Sequence, residues 1–169
     1  MGRFMNHKKW VVALALIATA LILTHLPVSE ADAAASASDF QIEGSTLTKY
    51  RGSDERVTIP DTVEVVGESA FENNQKVQLV VVPKSVKRMD AYVFWGCDNL
   101  EEVVLGKGLT SVDEYAFSGC TGLKQITIPE NVQSIDAQAF AGCTNLTDIY
   151  IPDTVTSIAD DAFLNCDNV

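Results

Sequence analysis

The sequence predicts a β-rich α/β solenoid built from five 23-residue repeats, with a β-hairpin cap at its N-terminal end. Three observations support this fold class: five segments align without a gap, their apolar columns alternate as in short strands, and the segment before the first repeat does not match them. A unit of 23 residues is too short to enclose a core alone. The apolar columns of neighbouring units must therefore cover one another in a stack.

The first 33 residues have the composition of a secretory signal peptide. Basic residues precede an apolar run from Trp10 to Leu23, and the Ala-Asp-Ala sequence at 31–33 is typical of a cleavage site. An uncleaved membrane anchor is the alternative, but the run is shorter than the about 20 residues that a spanning helix needs. We therefore expect cleavage near Ala33, and a mature chain that is secreted or held at the cell surface without a membrane span.

Residues 34–56 are predicted to form a linker and the N-terminal β cap. Phe40 and Ile42 alternate with polar residues, Gly44-Ser45 can turn the chain, and Leu47 and Tyr50 follow. A hairpin at this position would cover the open apolar end of the first repeat.

The five repeats are predicted at 57–79, 80–102, 103–125, 126–148 and 149–169. In each, an alternating V-x-I segment indicates a short strand with one inward face, and the Pro that follows ends its pairing. In the third repeat Gly106 takes the place of this Pro. The next segment, V-x-x-V/I, brings two more side chains inward. The segment A-F-x-G-C-x-x-L has the spacing of one or two turns of α- or 3₁₀-helix, which would place Phe, Cys and Leu on one buried side.

The unit I-x-I-P-x-x-V-x-x-I-x-x-x-A-F-x-G-C-x-x-L resembles the BspA-like leucine-rich repeats of bacterial surface proteins, and residues 100–105 (LEEVVL) resemble the leucine-rich-repeat strand signature. The resemblance implies a leucine-rich-repeat solenoid and a bacterial binding module that mediates adhesion through protein or glycan contacts. An alternative is that the repeats are the accessory scaffold of a larger secreted enzyme truncated after residue 169. The last apolar column, which ends at Val169 without a polar cap, also allows truncation or self-association through this end.

Four cysteines, Cys97, Cys120, Cys143 and Cys166, occupy a single column of the repeat. Zinc would need its sulfur ligands about 2.3 Å from one ion, whereas stacking spreads the four over about 14 Å. Disulfides between neighbours, Cys97–Cys120 and Cys143–Cys166, are an alternative in an oxidising compartment. The position of each Cys, three residues after a Phe, favours packed free thiols.

The mature chain offers little for catalysis. The only histidines, His7 and His25, lie in or beside the predicted signal peptide, and Gly106-Lys107-Gly108 lacks the spacing of a phosphate-binding loop. We expect no enzyme activity, no metal and no cofactor. Removal of residues 1–33 leaves 9 basic and 21 acidic residues, a balance that argues against nucleic acid as a partner.

Candidate binding residues are those on the surface that the repeat pattern does not dictate. On the outward side of the strands they are Leu79, Val81, Glu102, Val104, Asp148 and Tyr150. An alternative is that the β-branched residues among them simply favour strands. A second group is Tyr92, Trp95 and Tyr115, at positions where other repeats carry small or polar residues. Aromatic residues are enriched in binding hot spots, and we expect an extracellular protein or glycan as the ligand.

Overall fold

Each repeat forms one turn of a solenoid with two short strands. The computed structural model describes residues 35–169, so the predicted signal peptide lies outside the described residues. A 3₁₀-helix, Ala37–Asp39, precedes a hairpin of strands β1 (Phe40–Glu43) and β2 (Thr46–Tyr50). The strands of the five repeats then follow in pairs: β3 (Arg56–Thr58) and β4 (Val65–Val66), β5 (Leu79–Val81) and β6 (Arg88–Met89), β7 (Glu102–Val104) and β8 (Ser111–Val112), β9 (Gln125–Thr127) and β10 (Ser134–Ile135), and β11 (Asp148–Tyr150) and β12 (Ser157–Ile158).

The first strands of the five repeats form one parallel sheet in the order β11-β9-β7-β5-β3. Val57 pairs with Val80, Val80 pairs with Val103, and Ile126 pairs with Ile149. Every pair joins residues 23 positions apart, so each apolar column of the repeat is stacked on itself. The predicted solenoid of 23-residue repeats is confirmed.

The N-terminal hairpin covers the first repeat, as predicted. β1 pairs with β2 antiparallel, and β2 pairs with β4 in parallel, with Leu47 beside Val66. The ring of Tyr50 stacks on that of Phe71 with their centroids 5.0 Å apart. The cap thus continues both the strand ladder and the column of aromatic rings beyond the first repeat.

A stack of phenylalanines forms the centre of the core. Centroid distances between successive rings are 5.1 Å (Phe71 to Phe94), 5.3 Å (Phe94 to Phe117), 5.2 Å (Phe117 to Phe140) and 5.2 Å (Phe140 to Phe163). The first four rings are fully buried, whereas Phe163 in the last repeat is only partly buried. The last repeat also carries exposed apolar side chains: Ile158, Leu164 and Val169 are 45%, 49% and 59% exposed.

The prediction of helical turns in A-F-x-G-C is wrong, although the predicted buried side is confirmed. The segment forms isolated turns, in which the N–H of Cys97 donates to the carbonyl of Phe94 at 3.1 Å. Tyr92 and Gly96 have φ values of +61° and +67°, which interrupt right-handed helical geometry. Phe94, Cys97 and Leu100 are nevertheless fully buried together. The second strands were not predicted, because a two-residue strand carries no periodicity of its own.

One turn position has positive φ in all five repeats: Asn73, Gly96, Gly119, Gly142 and Asn165 have φ values between +54° and +75°. A Cβ atom at Gly119 would lie 3.6 Å from its nearest neighbours, so space is available there and only the backbone conformation disfavours a side chain. We predict that Gly119→Ala lowers the free energy of unfolding by about 1–2 kcal/mol, and that Gly119→Asn costs less because Asn tolerates this conformation. Urea unfolding of both variants measures the difference. Equal losses for Ala and Asn would contradict this explanation.

The ladder of second strands is interrupted after the second repeat. Within residues 35–169 these strands form two sheets, β1-β2-β4-β6 and β12-β10-β8. The interruption coincides with the turn at Gly106-Lys107-Gly108, which packs closely against the preceding turn. A Cβ atom at Gly108 would lie 2.2 Å from the carbonyl oxygen of Val86. Only glycine fits this contact, so the third repeat differs locally from its neighbours.

Candidate functional site

The outward side of the large sheet carries three apolar side chains and one carboxylate at its centre. Val81 and Val104 are in-register partners on β5 and β7, and Leu79 is beside Glu102 on the same two strands. All four side chains are partly buried, whereas Thr58 and Thr127, at the equivalent positions of the first and fourth repeats, are exposed. The structure therefore brings Leu79, Val81, Glu102 and Val104 together; we call these four residues the strand patch.

The other two strand candidates lie apart from the strand patch. Asp148 and Tyr150 are on β11, with β9 between them and β7. The hydroxyl of Tyr150 donates to Oε1 of Glu130 at 3.1 Å. Desolvation and this hydrogen bond raise the pKa of Tyr150. Tyr150 thus has a defined partner within the fold, and it borders a different part of the surface.

Tyr92, Trp95 and Tyr115 form one aromatic cluster. The rings of Tyr92 and Tyr115 stack with centroids 4.8 Å apart and planes inclined by 7°. The ring of Trp95 meets that of Tyr92 edge to face at 6.4 Å and 87°, and Trp95 remains 39% exposed. Desolvation raises the pKa of Tyr92, and the nearby Tyr115, Glu114 and Glu68 raise it further. The cluster is therefore an ordered aromatic surface with acidic neighbours.

The backbone does not explain why tyrosines occupy these turns. Tyr92 and Tyr115 have φ values of +61° and +55°, and Ser69 and Gln138 share this conformation at the same position of other repeats. Bulky side chains are unfavourable in this region of φ. The two tyrosines are consequently explained by what their rings contact, which includes each other.

The four cysteines are free thiols packed in the core, as the sequence interpretation favoured. Each donates to the carbonyl oxygen of the Phe located 26 residues earlier, at 3.1 Å for Cys97, Cys120 and Cys143 and at 2.9 Å for Cys166. Burial raises the pKa of Cys97 to about 12 and also raises that of Cys120. The column therefore contributes packing and hydrogen bonds to the interior.

A shallow groove lies beside the second strands of the last three repeats, with a volume of about 540 Å³. Its lining residues are Thr110, Glu130, Asn131, Gln133, Thr154 and Thr156. This groove was not predicted from the sequence. Thr110, Gln133 and Thr156 are spaced 23 residues apart and form one polar column of the repeat. This column is the sequence pattern that could have indicated the groove. Nδ2 of Asn131 already donates to the carbonyl of Lys107 at 2.7 Å, so part of the lining is occupied within the fold.

Two further features of residues 35–169 concern metals and membranes. In this part of the chain, no group of three or more His, Cys, Asp or Glu side chains is arranged to hold a metal ion. The same residues include no helix with the length and apolar character needed to span a bilayer.

The stacked 23-residue turns define a repeat solenoid. The candidate sites, the strand patch and the aromatic cluster, lie on its outer surface. A family model for the BspA type leucine rich repeat region matches residues 45–169 in six copies. The chain belongs to this family. The structure accounts for a copy ahead of the five repeats, because β2 pairs with β4 and Tyr50 stacks on Phe71 as a repeat would.

Solved structures agree with this assignment. A leucine-rich cell surface protein of Faecalibacterium prausnitzii is 34% identical with a TM-score of 0.72, over 73% of this chain and 33% of that protein. The leucine-rich repeat protein of T. pallidum is 28% identical with a TM-score of 0.78, over 81% and 69% of the two chains. The pneumococcal vaccine antigen PcpA, 20% identical with a TM-score of 0.66 over 75% of this chain and 33% of its own, has the same fold. The comparison with curated proteins gave no match.

Proposed function

We propose that this protein is a secreted or cell-surface binding module without enzymatic activity, and that it recognises an extracellular protein or glycan through the outward side of its large sheet. The signal-like segment at 1–33 and the likeness to a cell surface protein of Faecalibacterium prausnitzii support the location. The chain spans about a third of that protein's length, so the larger protein's role is not transferred to this chain.

The observation that carries the proposal is the strand patch. Val81 and Val104 are adjacent in register on the parallel sheet, and the exposed positions around them are polar, among them Thr58, Gln125 and Thr127. An apolar centre with a polar rim is the usual anatomy of a recognition surface. The two strands that carry the patch, β5 and β7, are each paired with both neighbours, so a partner would meet a preformed surface.

We predict that the double variant Val81→Asp/Val104→Asp loses binding to a partner found on an array of glycans and extracellular-matrix proteins, with at least about a tenfold drop in affinity. Two adjacent carboxylates would repel each other, and removing them from water under a partner would cost free energy. The matched control is Thr110→Asp/Thr156→Asp, which adds the same charges at two exposed positions beside the second strands rather than on the large sheet.

Urea unfolding of both double variants separates lost binding from lost folding. The control is expected to keep the wild-type binding profile. An identical profile for wild type and the Val81/Val104 variant, with both proteins folded, would reject the sheet as the binding surface.

A further inference from the structure

The negative charge of the repeats is concentrated on one edge of the solenoid. This edge is made by the turns that follow the second strands, residues 67–76, 90–99, 113–122, 136–145 and 159–168, and we call it the turn edge. It contains ten acidic residues and one basic residue, Lys76. The acidic residues are Glu68, Glu72, Asp90, Asp98, Asp113, Glu114, Asp136, Asp160, Asp161 and Asp167. The rest of 57–169 has seven acidic and five basic residues, so it is nearly balanced.

Little of this negative charge is neutralised within the fold. All ten carboxylates are exposed or partly buried. Among residues 35–169, Asp90 is the one of the ten that forms an ion pair, with Arg88 at 2.5 Å. Lys49 reaches the N-terminal end of the edge, where its Nζ donates to the carbonyl of Ser69 at 2.8 Å. The turns of the later repeats therefore present a surface of uncompensated negative charge.

The aromatic cluster lies on this same edge. Tyr92, Trp95 and Tyr115 belong to the turns of the second and third repeats, and Glu68 and Glu114 are close enough to the Tyr92 hydroxyl to raise its pKa. Beyond Trp95, the same turn position is occupied by Ser118 and Ala141, which are small and buried. The exposed indole is therefore followed by two small side chains, and the next large side chain at this position is the exposed Leu164 of the last repeat.

Aromatic faces and carboxylates attract the same kind of ligand. Lys and Arg side chains bind aromatic faces through their positive charge and pair with carboxylates. A neutral sugar could stack on an indole, but it would gain little from ten carboxylates, and an anionic glycan would be repelled. Charge complementarity thus selects a basic protein segment.

We propose that the turn edge binds a Lys- and Arg-rich segment of a protein partner, with basic side chains on the Tyr92–Trp95–Tyr115 cluster and the surrounding carboxylates pairing with the rest. The proposal rests on the binding role proposed above, and it assigns a partner class to a surface other than the strand patch. The contact is electrostatic as well as aromatic, so its affinity falls as salt is added.

The test measures binding of a fluorescein-labelled peptide of alternating Lys and Arg with Gly spacers, using fluorescence anisotropy at several NaCl concentrations. The same peptide with Gln at every basic position is the control ligand. The full chain is compared with Trp95→Ala and with Glu68→Gln/Glu114→Gln. The matched control variant, Asp61→Asn/Glu64→Gln, removes two exposed carboxylates outside the turn edge.

The basic peptide is expected to bind, and the Gln peptide is expected not to. Trp95→Ala should weaken binding by about fivefold or more, and Glu68→Gln/Glu114→Gln should weaken it and reduce the salt dependence. Asp61→Asn/Glu64→Gln should bind within about twofold of wild type. Glu68 and Glu114 are exposed, so Glu68→Gln/Glu114→Gln tests the turn edge even if Trp95→Ala impairs folding.

Three results would overturn the proposal: equal binding of the Gln peptide, equal losses in the two charge variants, or neutral oligosaccharide binding that depends on Trp95 but not on Glu68 and Glu114. The last result would assign the cluster to a glycan. Val81→Asp/Val104→Asp should bind the basic peptide as wild type does. If the basic peptide does not bind but array binding still depends on Val81 and Val104, the turn edge alone is rejected. If the basic peptide binds as expected but array binding does not depend on Val81 and Val104, the sheet surface alone is rejected.

Discussion

Replacing Phe117 by Ala is expected to lower the free energy of unfolding by about 3–5 kcal/mol. The ring lies in the middle of the phenylalanine stack, 5.3 Å from Phe94 and 5.2 Å from Phe140 between centroids, and it is fully buried. Both neighbouring repeats lose a contact when the ring is removed. A solenoid is held together by interfaces between adjacent repeats. The substitution therefore weakens the coupling between the repeats on either side of Phe117.

The matched control for this prediction is Phe163→Ala. Phe163 has the same position in the last repeat, but it is only partly buried, and within the described residues it stacks on Phe140 alone. Its removal should cost about half as much or less. Urea unfolding followed by circular dichroism measures both variants, and a broadened or two-step transition for Phe117→Ala would reveal the uncoupled halves. Equal costs for the two variants would show that the stack does not couple the repeats.

Raising the pH above about 9 is expected to destabilise the protein progressively. Burial raises the pKa of Cys97 from 9.0 to about 12. Burial, together with the hydrogen bond from its hydroxyl to Asp54, raises the pKa of Tyr50 from 10.0 to about 12. Each group keeps its proton longer in the folded chain than in the unfolded chain. The stability that each contributes is therefore complete below its ordinary pKa and is lost as the pH rises through about 12.

The free energy of unfolding in urea, measured from pH 8 to pH 11.5, tests this expectation. A single buried thiol changes the slope by up to about 1.4 kcal/mol per pH unit once the unfolded thiol has ionised. Cys97→Ala should be less stable at pH 8 but should show a shallower decline above pH 9. Tyr50→Phe, which keeps a ring beside Phe71, should show a shallower decline only above pH 10. Parallel curves for wild type and both variants would contradict the assignment of these two groups.

The sequence was sufficient to predict the parts of the fold that follow from a repeated pattern. The pairing of Val57 with Val80 and the Phe stack could both be read from columns 23 residues apart. The hairpin was predictable from Gly44-Ser45 between alternating segments. The second strands could not be predicted, because a two-residue strand such as Val65–Val66 exists only through hydrogen bonds to its neighbours.

The candidate surfaces were predicted less completely. Sequence reasoning selected Val81 and Val104 as outward residues, and their in-register contact agrees with the period of a strand. It also selected Tyr92, Trp95 and Tyr115, but not the parallel stacking of the two tyrosines at positive φ. It did not assign the carboxylates to the turn edge, because charge was counted over the whole mature chain rather than by column.

By itself, the sequence determined the repeat length, the inward columns and the family, since these depend on the identity and spacing of side chains. The tertiary structure alone decided how the outward residues meet. Parallel pairing brings residues 23 apart in the chain into neighbouring turns, so Tyr92 and Tyr115 become a stack, and carboxylates from five turns line one edge. Those juxtapositions depend on register and on positive φ at the turns, and both arise from packing between repeats rather than from any one segment.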